Sequence, residues 1–135
     1  MPVRQSLIVC VSMFLLLSPL VAKTLPASAL EPGYVSALAA ANHLLQAWQS
    51  GDVENGMVLM SSHAKEKATT DAVEKFFSNA SPSAYEIGRG KLLKRGRYEF
   101  PVVLVRASKN HARRQFSSVV IVDTGKNDWA VDKLP

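Results

Sequence analysis

Four aromatic side chains that carry a polar atom, Trp48, Tyr85, Tyr98 and Trp129, are the residues of this chain best suited to meeting a small molecule. Each offers an apolar ring face and one directed hydrogen bond, the combination that lines ligand cavities. Trp48 and Tyr98 are the stronger pocket candidates, because both fall on faces expected to point inward. Ordinary core packing accounts for the same four residues equally well. His43, His63 and His111 each stand without a carboxylate or second histidine at ligand spacing, so no metal centre and no histidine-based acid–base pair is expected. His43 lies opposite the apolar stripe of its helix, His63 near a helix end where partial positive charge is favourable, and His111 in a polar turn. Asp52 would serve as a base only if its surroundings raised its proton affinity; its place after Gly51 already explains it as a helix cap.

A second kind of chemistry rests on charge. Arg89, Lys91, Lys94, Arg95 and Arg97 crowd one stretch, and Arg113 and Arg114 open a later strand. A basic rim built from these seven would meet anionic lipid headgroups, envelope polysaccharide or an acidic partner. Positive charges also blunt exposed strand edges against aggregation, and that explanation stands beside the functional one. Glu86 and Glu99 are expected to be surface partners of these cations.

The whole chain has 16 Lys and Arg against 11 Asp and Glu in 135 residues, which leaves room for one domain. Residues 1–29 read as a secretory signal: a basic start at Arg4, an apolar stretch from Leu7 to Ala22, and the small-residue site Ala27-Ser28-Ala29, with cleavage after Ala29. An uncleaved membrane anchor is the competing explanation, disfavoured by Ser12, Ser18 and Pro19 within the stretch. Removing Arg4 and Lys23 with the leader leaves 14 cations against 11 anions, hence +3, well short of the density that argues for nucleic acid. The one cysteine, Cys10, lies inside the apolar stretch, so the 30–135 domain has no thiol for a disulfide, a nucleophile or a lipid anchor. An exported protein, periplasmic or released, is expected.

The elements that must position these residues follow from hydrophobic spacing. Tyr34, Leu38, Ala41, Leu45 and Trp48 recur along one side of a helix from Gly33 to Ser50, which Gly51 stops. Asp52 caps a second helix with the stripe Val53, Met57, Met60 and Ala64, and Asp71 with Glu74 marks a capping box for a third carrying Val73, Phe76, Phe77 and Ala80. After Pro82 four strands are expected, near Tyr85–Leu93, Arg97–Arg106, Arg113–Val122 and Asp128–Asp132, separated by turn residues. The result is an α+β layout, helices on a four-stranded antiparallel sheet. Val102–Val105 and Val119–Val122 are apolar on both alternating faces, so the second sheet face needs a cover, either a second copy of the chain or the chain's own termini and loops. Asn79-Ala80-Ser81 matches a glycosylation acceptor, but Pro82 follows and the leader is bacterial in type, so it carries no weight.

The helix, Gly-Asp turn and second helix in Ala47-Trp48-Gln49-Ser50-Gly51-Asp52-Val53-Glu54, and the terminal strand in Trp129-Ala130-Val131-Asp132-Lys133-Leu134, resemble the nuclear transport factor 2-like superfamily, with its SnoaL-like cyclases and ketosteroid isomerase relatives. The resemblance implies a curved sheet wrapped around the first helix, a cone whose open end holds a small apolar or amphipathic ligand, and frequent dimerisation through the outer sheet face. Enzymes of the group place Asp, His, Tyr or Arg inside the cone. None of those catalytic patterns maps onto this sequence residue by residue. The expectation is therefore an exported, non-enzymatic domain that binds a small ligand or a partner without a cofactor. The alternatives are a cofactor-free lyase, isomerase or cyclase, and envelope binding through the basic rim.

Overall fold

The computed structural model describes residues 31–78 and 81–135. The expected signal segment with its expected cleavage site at Ala29, Cys10 within it, Asn79 and Ala80 lie outside the described residues. Among the described residues four helices precede five strands: α1 (Pro32–Ser50), α2 (Val53–Leu59), α3 (Ser62–Lys67), α4 (Thr70–Phe77), β1 (Ser83–Ile87), β2 (Lys91–Lys94), β3 (Arg97–Ser108), β4 (His111–Gly125) and β5 (Asp128–Lys133).

Helix α1 is the axis of the fold. Pro32 starts it, where a missing N–H costs nothing. Gly51 ends it in the left-handed conformation, φ 68°, with the Gly51 and Asp52 N–H groups closing back on the carbonyls of Trp48 and Ala47. Of the expected stripe, Ala41, Leu45 and Trp48 are buried and Tyr34 and Leu38 half-buried; Leu44 widens the face, and Ala37, Ala40 and Ala47 let the helix sit close to the sheet. Asp52 then caps α2 through its side chain, accepting from the Asn55 N–H at 3.1 Å.

The expected second helix is broken in two. Met60 adopts an extended conformation and bridges in parallel to Val131, and the Ser61 N–H donates to the Val131 carbonyl at 2.8 Å, so the chain docks on the free edge of β5 between α2 and α3. Pairing with an otherwise open strand edge outweighs the helical hydrogen bonds that an unbroken helix through Met60 and Ser61 would make. Ser61 restarts the helix, its Oγ accepting from the Ala64 N–H. In α4 the cap is Thr69, which accepts from the Ala72 N–H, and Asp71 sits in the first turn rather than at the cap.

The antiparallel sheet runs β1-β3-β4-β5, with β2 also paired to β3, and so has five strands rather than four. The run expected as one strand from Tyr85 to Leu93 splits at Gly88-Arg89-Gly90. There Phe100 of β3 packs against Gly90 so closely that an added Cβ would lie 2.4 Å from its ring. Beside it Pro101 has no N–H to offer the ladder, and its carbonyl takes the Gly88 N–H at 2.7 Å. β1 therefore pairs with the second half of β3 and β2 with the first. The curved sheet packs around α1, which touches β1, β3, β4 and β5. Tyr98, Phe100, Val102 and Leu104 of β3 face inward beside Val119 and Ile121 of β4 and Val131 of β5. Val103 and Val105 face outward beside Phe116, which is 77 % exposed.

Candidate functional site

The inner face of the cone is filled with rings at its α1 end. Tyr34 meets Tyr98 edge-on at 5.6 Å and Phe100 at 5.5 Å, and Tyr98 lies 5.8 Å from Trp129. Such contacts add to the area the rings bury and fix their orientation. Trp48 is wholly buried further along the helix. Of the four aromatic candidates, the structure brings Tyr98 and Trp129 together, buries Trp48 in the core, and sets Tyr85 apart. The Tyr85 hydroxyl donates to Asn42 Oδ1 at 2.6 Å and ties β1 to α1, and burial pushes its phenol up despite a hydrogen bond with Gln46.

Outside the ring cluster, at the head of α1, an open groove of about 550 Å³ is bounded by Glu31, Leu92, Arg95, Tyr98, Asp123 and Trp129. That volume falls in the range that holds small organic ligands. Gly33 lets Trp129 come close to the first turn of α1, since an added Cβ would stand 3.1 Å from the indole. Glu31 precedes α1 yet makes no side-chain cap; its carboxylate accepts from the Tyr98 hydroxyl at 2.5 Å instead. Burial first, then that hydrogen bond and the charges of Glu31 and Tyr34, push the Tyr98 phenol up to about 12. The proton thus stays on Tyr98 at neutral pH, held toward Glu31. Asp123 is likewise committed, accepting from the Gly125 N–H at 2.8 Å in the turn before β5. The groove presents an aromatic wall and an aliphatic edge at Leu92, with one cation at Arg95.

The histidines fare differently. His43 and His111 are exposed. His63 lies in the first turn of α3, not near its end, so the helix dipole does not favour positive charge there. Its partner is Asp132, with Nδ1 3.1 Å from Oδ1. Ser61 Oγ donates to the same Oδ1 at 2.8 Å, and Arg97 donates to Oδ2 at 2.7 Å. Serine, histidine and aspartate in one cluster suggest a nucleophilic triad, but the geometry is wrong. Serine and histidine both bond the carboxylate, whereas a triad needs the imidazole between them. The cluster fastens the start of α3 to β5. Sequence spacing hid it, because 69 and 71 positions separate His63 and Ser61 from Asp132.

The seven cations do not make one rim. Arg89, Lys91, Lys94, Arg95 and Arg97 gather around β2 and the start of β3; Lys91 lies 3.8 Å from Glu99, and Arg97 is taken by Asp132. Arg113 and Arg114 pair with Arg106 and Val105 at the far end of β3. At about 3.3 Å per strand residue, Arg97 stands roughly 30 Å along β3 from Arg106, the register partner of Arg113. Arg106 was not signalled by charge crowding. The alternation Tyr98, Phe100, Val102, Leu104 was its one signal, for it places Arg106 next in the inward row.

Helices wrapped by a five-stranded antiparallel curved sheet define the nuclear transport factor 2-like fold, and this chain has it. It is similar to a nuclear transport factor 2-like protein of unknown function from Shewanella oneidensis, at 8% sequence identity and a TM-score of 0.53, over 73% of this chain and 93% of that one. No family model matches the sequence, and no curated protein matches it. Among the described residues no group of His, Cys, Asp and Glu is placed to hold a metal ion, and no helix is long and apolar enough to cross a membrane.

Proposed function

We propose that this chain, exported and freed of residues 1–29, is a non-enzymatic binding domain that takes a small amphipathic molecule in the groove at the head of α1. The observation that carries the reading is the ring cluster of Tyr34, Tyr98 and Phe100, which fills the inner sheet face beside the head of α1 while space of ligand size remains next to it against Trp129. A catalytic reading needs ionisable groups converging on a substrate. Here Glu31 and Tyr98 bond each other, and Asp123 serves a turn. The export reading is supported by the ordered signal features of the leader. The outer sheet face, with Phe116 exposed beside Val103 and Val105, suits a second copy of the chain.

Anilinonaphthalene sulfonate, an apolar ring system with one anionic group, is a suitable probe for the groove. Its fluorescence should rise on the parent protein and fall on Leu92→Glu and Arg95→Glu, both exposed positions whose replacement spares the core. An unchanged response in both variants, with loss on Phe116→Ser, would place the probe on the sheet face and refute the groove. Turnover of a substrate that is abolished by Glu31→Gln would replace the binding reading with the enzymatic one.

A further inference from the structure

The far end of the inner sheet face holds a second site. Arg106 ends the inward row of β3, and in register beside it on β4 stands Arg113, facing the same way. Like charges directly opposite on neighbouring strands repel. Neither guanidinium takes part in an ion pair among the described residues. Arg106 is held in place: its guanidinium carbon stands 5.5 Å from the ring centre of the fully buried Trp48. This contact orients the planar fork without neutralising it. The two arginines flank a pocket of about 340 Å³ with Leu104 and Gln115 in its wall and Ser108 at its edge. Lys109 and His111 follow in the chain at the β3–β4 turn, and no acidic residue lies between Arg106 and Arg114 in sequence.

We infer that this pocket binds a small oxyanion of the phosphate monoester class, clamped between the Arg106 and Arg113 guanidiniums. Two forks presented from neighbouring strands match a tetrahedral dianion with several acceptor oxygens, and a bound dianion relieves the repulsion that the empty pair carries. Gln115 and Ser108 supply neutral donors, and Leu104 offers an apolar patch for the carbon skeleton of an ester. The site lies at the opposite end of β3 from Tyr98 and does not depend on the groove.

The test is a titration with inorganic phosphate at pH 8 and constant ionic strength, followed through the side-chain Nε–Hε resonances of Arg106 and Arg113. Saturable shifts of both resonances are expected, with chloride producing none. Arg113→Gln, at an exposed position, should weaken phosphate by about tenfold, the scale of one charge-assisted interaction, and acetate should bind the parent more weakly by a similar factor. Shifts no larger than those from chloride, or equal affinity in Arg113→Gln, overturn the site. Glycerol phosphate in solution and vesicles of phosphatidylcholine with phosphatidic acid then separate the sources. Binding of the free ester supports the proposal, and binding to vesicles alone overturns it in favour of a membrane surface.

Discussion

Tyr98 Oη donates to Glu31 Oε2 across 2.5 Å, joining the inner face of β3 to the residue that precedes α1. This bond closes one side of the groove and explains why Glu31 does not cap its own helix. It also has a signature in pH. The phenol is pushed up to about 12 from 10.0, so its contribution to stability is complete below pH 10 and is lost as pH climbs through 12. In Glu31→Gln the ionisation should move down toward the ordinary tyrosine value. Absorbance titration of tyrosinate in parent and variant checks this, and superimposable curves would count against the bond.

Asp132 gives the opposite dependence. Burial pushes its carboxyl up, but hydrogen bonds from Ser61, Arg97 and His63, with the Arg97 charge, outweigh that and hold it below 3.8. A depressed carboxylate stabilises the fold above its unfolded pKa and ceases to do so as pH falls through the lower folded value. Asp132→Asn should cost about 1–3 kcal/mol at pH 7, the usual penalty for stripping a buried charged acceptor, and should flatten the acid limb below about pH 4. Denaturant midpoints of parent and variant across pH 2–7 measure it; parallel acid limbs would contradict the assignment.

Gly56 is buried in α2 under Phe77, where an added Cβ would stand 2.2 Å from the ring tip. Phe77 is itself fully buried and has nowhere to retreat. Alanine gains about 1 kcal/mol over glycine in a helix interior, while overpacking a closed core costs about 1–3 kcal/mol. Gly56→Ala should therefore lower the thermal midpoint despite its better helix propensity. A raised midpoint would mean that α2 and α4 can separate.

The outer sheet face makes a prediction about mass. With Phe116 at 77 % exposure beside two valines, light scattering at micromolar concentration should return a dimer for the parent and a monomer for Phe116→Glu. A monomeric parent would remove the second copy from the account.

Local pattern was enough for much of the fold. The α1 stripe, the Gly51 stop and the Asp52 cap are each encoded within a few residues, and the structure has all three. What was illegible depended on distant partners. The break at Met60 exists because Val131 offers a strand edge, and the split after Ile87 because Phe100 and Pro101 lie alongside. At the groove, the inward alternation of β3 marked Tyr98, and the terminal strand marked Trp129. Glu31 carried no signal, since only the closed fold brings it to Tyr98. The Arg106–Arg113 pair was hidden for the same reason: sheet register, not sequence proximity, makes neighbours of them.

Two-dimensional proton–nitrogen spectra of the protein, titrated with anilinonaphthalene sulfonate, decide whether the groove is the site. Movement of the Trp129 indole N–H and of the Arg95 and Gly96 amides is expected, with the Trp48 indole N–H still. Shifts confined to residues around Phe116, or none at Trp129 up to saturation of the dye signal, would contradict it.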